Sequence, residues 1–185
     1  MWWLWIIVGL IALVALWAIV TYNSLVRNKN LVGEGWSGIE AQLKRRADLI
    51  PNLVETVKGY ATHERGTFEQ VTKLRTESAA AASVEERAAV ERQITAAIGK
   101  IMAVAEAYPD LKASANFQSL QGSLAEVEDQ IQLSRRYYNG AVRIFNTMMQ
   151  QFPANLIAGQ LGFKPAQFFE IENAADRATP QVKFS

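Results

Sequence analysis

The sequence contains no cysteine and only one histidine, His63. A chain without thiols cannot form disulfides or iron–sulfur clusters, and one histidine cannot complete a zinc site of Cys and His ligands. Charge of one sign is also scarce, because 19 Lys and Arg nearly balance 18 Asp and Glu, leaving a net charge of +1. A nucleic-acid-binding protein needs a basic surface to displace counterions from phosphates. The composition therefore argues against a nucleic-acid partner.

The first twenty residues lack charge altogether, and 19 of them are apolar. The stretch 2–20 would be ~28 Å long as a helix, close to the ~30 Å thickness of the hydrocarbon layer. Four of the five tryptophans lie in it, and Trp17 with Tyr22 marks its far end, as in the aromatic belts of membrane helices. Only Met1 precedes the tryptophans and no A-x-A site follows, so we predict an uncleaved anchor rather than a signal peptide.

The residues around this anchor predict its orientation and the domain boundaries. Arg27 and Lys29 follow the span and no basic side chain precedes it, so the positive-inside rule places the rest of the chain in the cytoplasm. We expect a transmembrane anchor at 1–21, a juxtamembrane joint at 22–35 and a helical bundle domain at 36–185.

Three glycines lie within 33–38, at the end of the predicted joint. They match G-x-G-x-x-G, the dinucleotide-binding fingerprint, but no strand precedes them and no βαβ unit follows. Each glycine costs ~1 kcal/mol relative to alanine in a helix. The stretch therefore predicts a soft joint between anchor and bundle.

Beyond the anchor, apolar residues recur at steps of three and four, which predicts an all-α protein. A first helix should run from the membrane to about Glu77, with a kink or break near Leu49 caused by Pro51. Ser83 and Glu86 form a capping box that starts a second helix, which Pro109 should stop. A third helix carries a seam at Leu120, Leu124, Val127, Ile131, Tyr138, Val142, Phe145, Met149 and Phe152.

The C-terminal part should add one short helix after Pro153, ending at Gly159 or Gly162. The tail beyond it is too apolar for a free linker and should fold back on the bundle through Phe163, Phe168, Phe169 and Phe184. The predicted architecture is a single N-terminal transmembrane helix followed by a long antiparallel bundle of three long helices plus a short C-terminal helix.

Two runs of basic residues stand out, Lys44-Arg45-Arg46 and Arg135-Arg136. Arg46 lies seven residues after Ile39 and seven before Leu53, on the apolar seam of the first helix. A buried guanidinium needs a carboxylate, because an unpaired buried charge is costly. We expect at least one of these arginines to be held by a carboxylate, with Asp48, Glu64 and Glu128 as candidates.

Motifs for catalysis are incomplete. His63-Glu64 begins like the zinc motif H-E-x-x-H, but its fifth position is Thr67. The acids Glu126, Glu128 and Asp129 could hold a hard cation, although a solvated helix face is the more ordinary interpretation. We expect no catalytic residue, no cofactor and no metal ion.

Several sequence blocks, in order, resemble the LemA family of membrane proteins. They are residues 22–26, 36–54, 57–61 with 63–64, 108–112, 134–139, 152–155, 162–163, 168–170 and 180–184. The resemblance implies a prokaryotic cell (inner) membrane protein with a short N-terminus, one spanning helix and a helical bundle. It implies no established catalytic activity, and a magnetosome-membrane relative points to membrane organisation.

The leading hypothesis is a non-enzymatic scaffold whose partners are the lipid bilayer, an unknown membrane or cytoplasmic protein, and a second copy of itself. An alternative is a membrane-tethered accessory protein or enzyme with a carboxylate–cation site that uses His63, Glu64 and acids of the third helix. The candidate interaction or structural residues are Lys44, Arg45, Arg46, Asp48, His63, Glu64, Arg135, Arg136, Tyr138 and Asn139.

Overall fold

A computed structural model of the protein describes residues 1–61 and 64–170. These residues form helices and turns without any strand, which confirms the all-α class. The helices are α1 Trp2–Lys58, α2 Arg65–Ala80, α3 Val84–Glu106, α4 Pro109–Ala113, α5 Ala115–Gln150 and α6 Asn155–Ala158. Phe184, expected to fold back on the bundle, lies outside the described residues.

Helix α1 passes through Pro51 without a break, so the break expected near Leu49 is wrong, whereas the alternative of a kink there stays a prediction. Proline has no N–H for the carbonyl four residues earlier, which is that of Ala47. Arg75 of α2 supplies the missing donor, because its Nε lies 2.8 Å from the Ala47 carbonyl oxygen. The helix continues because a neighbouring side chain satisfies the carbonyl that proline leaves unbonded.

The first helix was also expected to reach about Glu77, but α1 ends at Lys58 and α2 begins at Arg65. Gly59 follows the last helical residue, and the amides of Tyr60 and Ala61 both donate to the Val57 carbonyl in a turn. Glycine is the residue that most easily leaves a helix, so the chain breaks there rather than at proline.

The start of α3 follows the expected cap. The Ser83 hydroxyl accepts from the Glu86 amide at 3.1 Å, while the Glu86 carboxylate accepts from the Ala82 amide at 2.9 Å. The return bond thus reaches one residue further back than in the standard capping box. Helix α3 ends at Glu106, and Pro109 opens α4, where its missing N–H costs nothing.

The chain divides into two compact units. The first unit comprises residues 1–41 and 132–167, and the described residues of the second are 42–61, 64–131 and 168–170. The second unit has an apolar core contributed by α1 to α5. Its buried members are Ile50, Leu53, Val54, Val57, Ala61, Phe68, Val71, Leu74, Ile94, Ala97, Ile101, Ala105, Leu111, Phe117 and Leu124.

In the first unit, Leu25, Phe145, Ala158 and Phe163 form a small buried cluster. The expected seam of α5 is largely buried across both units, with Val127, Ile131 and Val142 fully enclosed. Phe152 is the exception: it lies beyond the end of α5 and is 79% exposed, so its place in the seam is wrong.

The glycines at 33–38 lie within α1, which is helical across them. Gly35 is buried, and a Cβ there would lie 3.0 Å from the Tyr138 Cα. Gly33 and Gly38 have open space around them. At position 35, glycine therefore permits close packing of α1 against α5, while the softness of the joint stays a prediction.

The N-terminal part of α1 is the described segment long and apolar enough to cross a membrane. Only 6% of its most apolar 18-residue stretch is buried within the protein. Core helices of soluble proteins hide such surface, so this stretch is built for an apolar environment outside the chain.

Candidate functional site: a buried charge cluster

Arg46 of α1 lies inside the second unit, with only 1% of its side chain exposed. Its Nη1 donates to a Glu128 carboxylate oxygen at 2.8 Å and to the Thr95 hydroxyl at 2.9 Å. Its Nη2 donates to the carboxylate of Glu91, forming a close ion pair. The structure thus pairs Arg46 with Glu128, one of the three expected carboxylates, and with Glu91, which the sequence interpretation missed.

Glu91 of α3 is the most enclosed acid of this cluster, with 3% of its side chain exposed. Its second carboxylate oxygen accepts from the Ser78 hydroxyl of α2, and the Arg87 Nε lies 3.8 Å from that oxygen. A signal for Glu91 existed in the sequence, because it precedes the buried Ile94 by one three-residue step of the α3 seam.

Glu128 of α5 closes the cluster toward solvent, since a third of its side chain is exposed. Thr95 links the two acids, because its hydroxyl donates to the Glu91 carbonyl at 3.2 Å and lies 3.4 Å from Glu128 Oε1. Two guanidinium groups therefore face two carboxylates. Residues of α1, α2, α3 and α5 are joined in one network that carries no net charge.

The chemistry of this cluster is structural. The five N–H donors of an arginine form a fork that matches carboxylates, and buried pairs hold only when their remaining donors are also satisfied. Here Ser78 and Thr95 bond to the acids that face Arg46. Such a network fixes how the four helices are aligned. Its buried groups bond to one another, so few of them could contact a substrate.

The other expected residues of α1 lie at the surface. Arg45 forms a two-pronged pair with Glu126, with both N–O distances 3.2 Å and both side chains about half exposed. Asp48 faces Arg75 at 3.9 Å in another exposed pair, and Lys44 is exposed. Exposed pairs of this kind are worth ~0–1 kcal/mol.

The expected carboxylate–cation site has few described residues to support it. His63 lies outside the described residues, and Glu64 sits before α2 without capping it through its side chain. Among residues 1–61 and 64–170, no three His, Cys, Asp or Glu side chains gather closely enough to hold a metal ion.

Two surface grooves of the second unit offer concave space. The larger, about 650 Å³, runs beside α2 and contains Glu69 with the bases Lys58, Arg65 and Lys73. A smaller one of about 260 Å³ lies between α3 and α5, is largely apolar, and has Glu128 at its edge. Neither groove brings two carboxylates together, which is the arrangement that acid–base or cation chemistry would use.

A second group of expected residues lies in the first unit. Tyr138 is buried, its ring packs 5.6 Å from that of Trp36, and its hydroxyl donates to the Gln167 carbonyl at 2.7 Å. Burial raises the pKa of this phenol above its usual value of 10. Arg135 and Asn139 are half-buried on α5, whereas Arg136 is exposed.

An exposed apolar helix followed by helical units with internally paired charges defines a class of N-terminally anchored, all-helical proteins. The sequence profile of the LemA family matches residues 35–184. The chain therefore belongs to the LemA family, and its apolar N-terminal helix supports a membrane location.

Similar proteins include two magnetosome proteins and a protein named LemA. The magnetosome protein MamQ 2 of Paramagnetospirillum magneticum is 27% identical over 192 aligned residues, covering 89% of this chain and 71% of the relative. The magnetosome protein MamQ of Magnetospirillum gryphiswaldense is 23% identical with the same coverage. Protein LemA of Metamycoplasma hominis is 29% identical over 150 residues, covering 80% of this chain and 68% of the relative.

Proposed function

We propose that this protein is a non-enzymatic scaffold, anchored in the inner membrane by one spanning helix and presenting its helical units to the cytoplasm. Its partners are a membrane or cytoplasmic protein and a second copy of the same chain. Its contribution to the cell is the organisation of other components at the membrane surface.

The continuity of α1 carries this proposal. One helix, Trp2–Lys58, contains the exposed apolar stretch, the small core of the first unit at Leu25, and Arg46 of the second unit. A transmembrane helix inserts effectively irreversibly, so it keeps the attached units at the membrane and raises their effective concentration for neighbours. An anchor joined to the units by an unbroken helix suits a scaffold.

The relatives support a role in organisation rather than in a reaction. Two are named for the magnetosome, and the names of these relatives specify no reaction. The buried charges at Arg46, Glu91 and Glu128 are engaged with one another, which favours a structural role for them. A cytoplasmic location is supported by Arg27 and Lys29 after the span.

Co-purification tests the scaffold directly. Two full-length copies with different C-terminal tags are produced together, the membranes are solubilised in mild detergent, and one tag is captured. We expect the second tag, or the same partner protein in repeated captures, to be recovered in fixed proportion. Membranes from separate cultures mixed before solubilisation control for association in detergent. A folded protein that captures neither contradicts the proposal.

Orientation has a separate test, which the absence of cysteine makes simple. Leu133→Cys places the only thiol of the chain on an exposed position of α5. A membrane-impermeant maleimide should label it only after spheroplasts are permeabilised. Labelling in intact spheroplasts would place the helical units on the outer face and overturn the cytoplasmic assignment.

A further inference from the structure

The chain that follows α5 exposes large apolar side chains in a short stretch. Phe152 is 79% exposed, Leu156 57% and Leu161 46%, although all three lie within twelve residues of the end of α5. We call residues 151–163 the tip. Scattered apolar residues on a surface are ordinary, but three large ones exposed within one short, turn-rich segment mark a candidate contact surface.

The register of α1 and α5 places the tip along the anchor helix. Tyr138 packs against Trp36, and ten residues further along α5 Met148 accepts a hydrogen bond from Asn28, eight residues back along α1. The two helices therefore run antiparallel, with α5 heading toward the apolar stretch. Its last residue, Gln150, comes level with about residue 26 of α1.

Contacts within the tip hold it at that level. The ring of Phe163 meets the ring of Tyr22 edge-on at 5.9 Å and that of Phe145 at 6.2 Å. Leu25 is fully buried in the same cluster, together with Ala158. The tip is thus packed beside residues 22–25 of α1, immediately beyond the apolar stretch that ends at Val20.

The rise of α1 per residue gives the distance of the tip from the end of the apolar stretch. At a rise of 1.5 Å per residue, Tyr22 lies ~3 Å and Leu25 ~7.5 Å beyond Val20. The headgroup layer on each side of a bilayer is ~5–7 Å thick. If Val20 ends the span, the part of the tip beside Tyr22 lies within the lipid headgroup layer and the part beside Leu25 lies at the outer edge of that layer.

The charges around the tip suit a lipid surface. From Gln130 to Phe169 the sequence contains no Asp or Glu, and two basic residues of this stretch lie near the tip along the chain, Arg143, seven residues before the end of α5, and Lys164, directly after the tip. On α1, Lys29 lies with its Nζ 5.9 Å from the centre of the Phe163 ring, beside the tip. Basic side chains next to apolar ones are the combination by which interfacial segments bind anionic membranes.

We propose that the tip inserts Phe152, Leu156 and Leu161 into the headgroup region of the leaflet from which α1 emerges. The protein would then hold the membrane twice, by its spanning helix and by this second contact. This inference rests on the spanning helix of the proposed function. A bilayer is favoured over a second protein copy as occupant because the depth and charge of the tip match the lipid surface.

The test uses full-length protein reconstituted in vesicles of phosphatidylcholine and phosphatidylglycerol. Because the chain has no cysteine, Leu156→Cys carries the only attachment point for an environment-sensitive fluorophore. Leu133→Cys is the matched control, an exposed leucine on α5 of the same unit, 17 residues before its end. Val14→Cys, within the apolar stretch, reports whether the helix spans the bilayer.

We expect lipids spin-labelled near the headgroup to quench the label at position 156, and aqueous iodide to quench the label at position 133 instead. Phe152→Glu should return the label at position 156 to iodide and leave that at position 133 unchanged. A circular dichroism spectrum and a thermal unfolding curve matching those of the parent protein would show that the variant remains folded.

Other outcomes separate the possible failures. If deep spin labels quench position 14 while position 156 is open to iodide, the tip inference is wrong although the anchor stands. If no lipid label quenches position 14, the spanning helix itself is wrong. A label at position 156 hidden from both iodide and lipid would show that protein covers the tip, which overturns its insertion.

Discussion

The two units of this chain differ in the balance and in the burial of their charged residues. Among the described residues, the second unit has 11 basic and 14 acidic residues and buries an arginine and a glutamate within its core. The first has six basic and only two acidic residues, and aromatic and backbone contacts such as those of Tyr138 hold it together. The net charge of +1 for the whole protein does not reveal this difference between the two units.

The difference in charge indicates what kind of interaction each unit makes. In the second unit, acids meet bases inside the fold, so charge serves to align helices. In the first unit, bases outnumber acids threefold, so the unit carries an excess of positive charge that an anionic surface attracts. Whole-chain charge is therefore a poor guide to the partners of an anchored protein, because the relevant quantity is the charge near the anchor.

Breaking the buried pair should produce the largest effect. Arg46→Met leaves Glu91 enclosed without its main cation, so the free energy of unfolding should fall by ~3–5 kcal/mol. Arg45→Met, one residue earlier, removes only an exposed pair and should cost ~0–1 kcal/mol. Urea unfolding of the full-length protein in mild detergent, followed by circular dichroism, measures both. Equal losses for the two variants would contradict the structural role of the cluster.

The sequence predicted that at least one of Arg46, Arg135 and Arg136 is held by a carboxylate, and Arg46 was a candidate because it lies on the apolar seam of the first helix. Glu91 was missed for a related reason. Apolar residues define a seam, so a carboxylate at a seam position is counted as an interruption until its partner is known. That partner lies 45 residues away on another helix, and one sequence does not reveal such a contact.

The close packing of the first unit provides a second test, of intermediate size and with opposite signs. Gly35→Ala would place a methyl group 3.0 Å from the Tyr138 backbone and should destabilise the protein by ~1–3 kcal/mol. Gly33→Ala meets open space and should stabilise the helix by up to ~1 kcal/mol. Thermal unfolding in detergent distinguishes them. If both variants gain stability, Gly35 is not a packing position.

The glycines at 33–38 and Pro51 show what helix propensity alone could not predict. Glycine and proline have poor helix propensity, so the sequence predicted a soft joint at 33–38, which stays a prediction, and a kink or break near Leu49, of which the break is wrong. Propensity is a weak constraint when tertiary contacts compensate. Tyr138 makes glycine useful at 35, and Arg75 bonds to the carbonyl that Pro51 leaves free. The helix seams, in contrast, were predictable because apolar spacing directly reports which face is buried.

The smallest effect concerns Tyr138. Tyr138→Phe leaves the Gln167 carbonyl without its donor and should cost ~0.5–1.5 kcal/mol at neutral pH. Burial raises the pKa of this phenol, so the unfolded chain ionises first as the pH passes ~10. The stability contributed by Tyr138 is therefore complete below that pH and is lost as the pH rises through the folded-state pKa.

Unfolding measured between pH 9 and 11 checks this dependence, in the range where tyrosine titrates. Tyr138→Phe should lose less stability over this range than the wild type. Tyr137→Phe is the matched control, because its ring is half exposed and it should keep the wild-type pH dependence. An identical pH dependence in all three proteins would show that Tyr138 is not the group responsible.

The pairing of Arg46 with Glu128 also limits how early the second unit can complete its fold during synthesis. The two residues are 82 positions apart, so at ~5–20 residues per second the ribosome needs roughly 4–16 s to make the acid after the base. During that interval Arg46 lacks one of its two carboxylate partners, so the charge cluster is incomplete. The apolar stretch, which is made before Arg46, thus has seconds in which to reach the membrane before the second unit is complete.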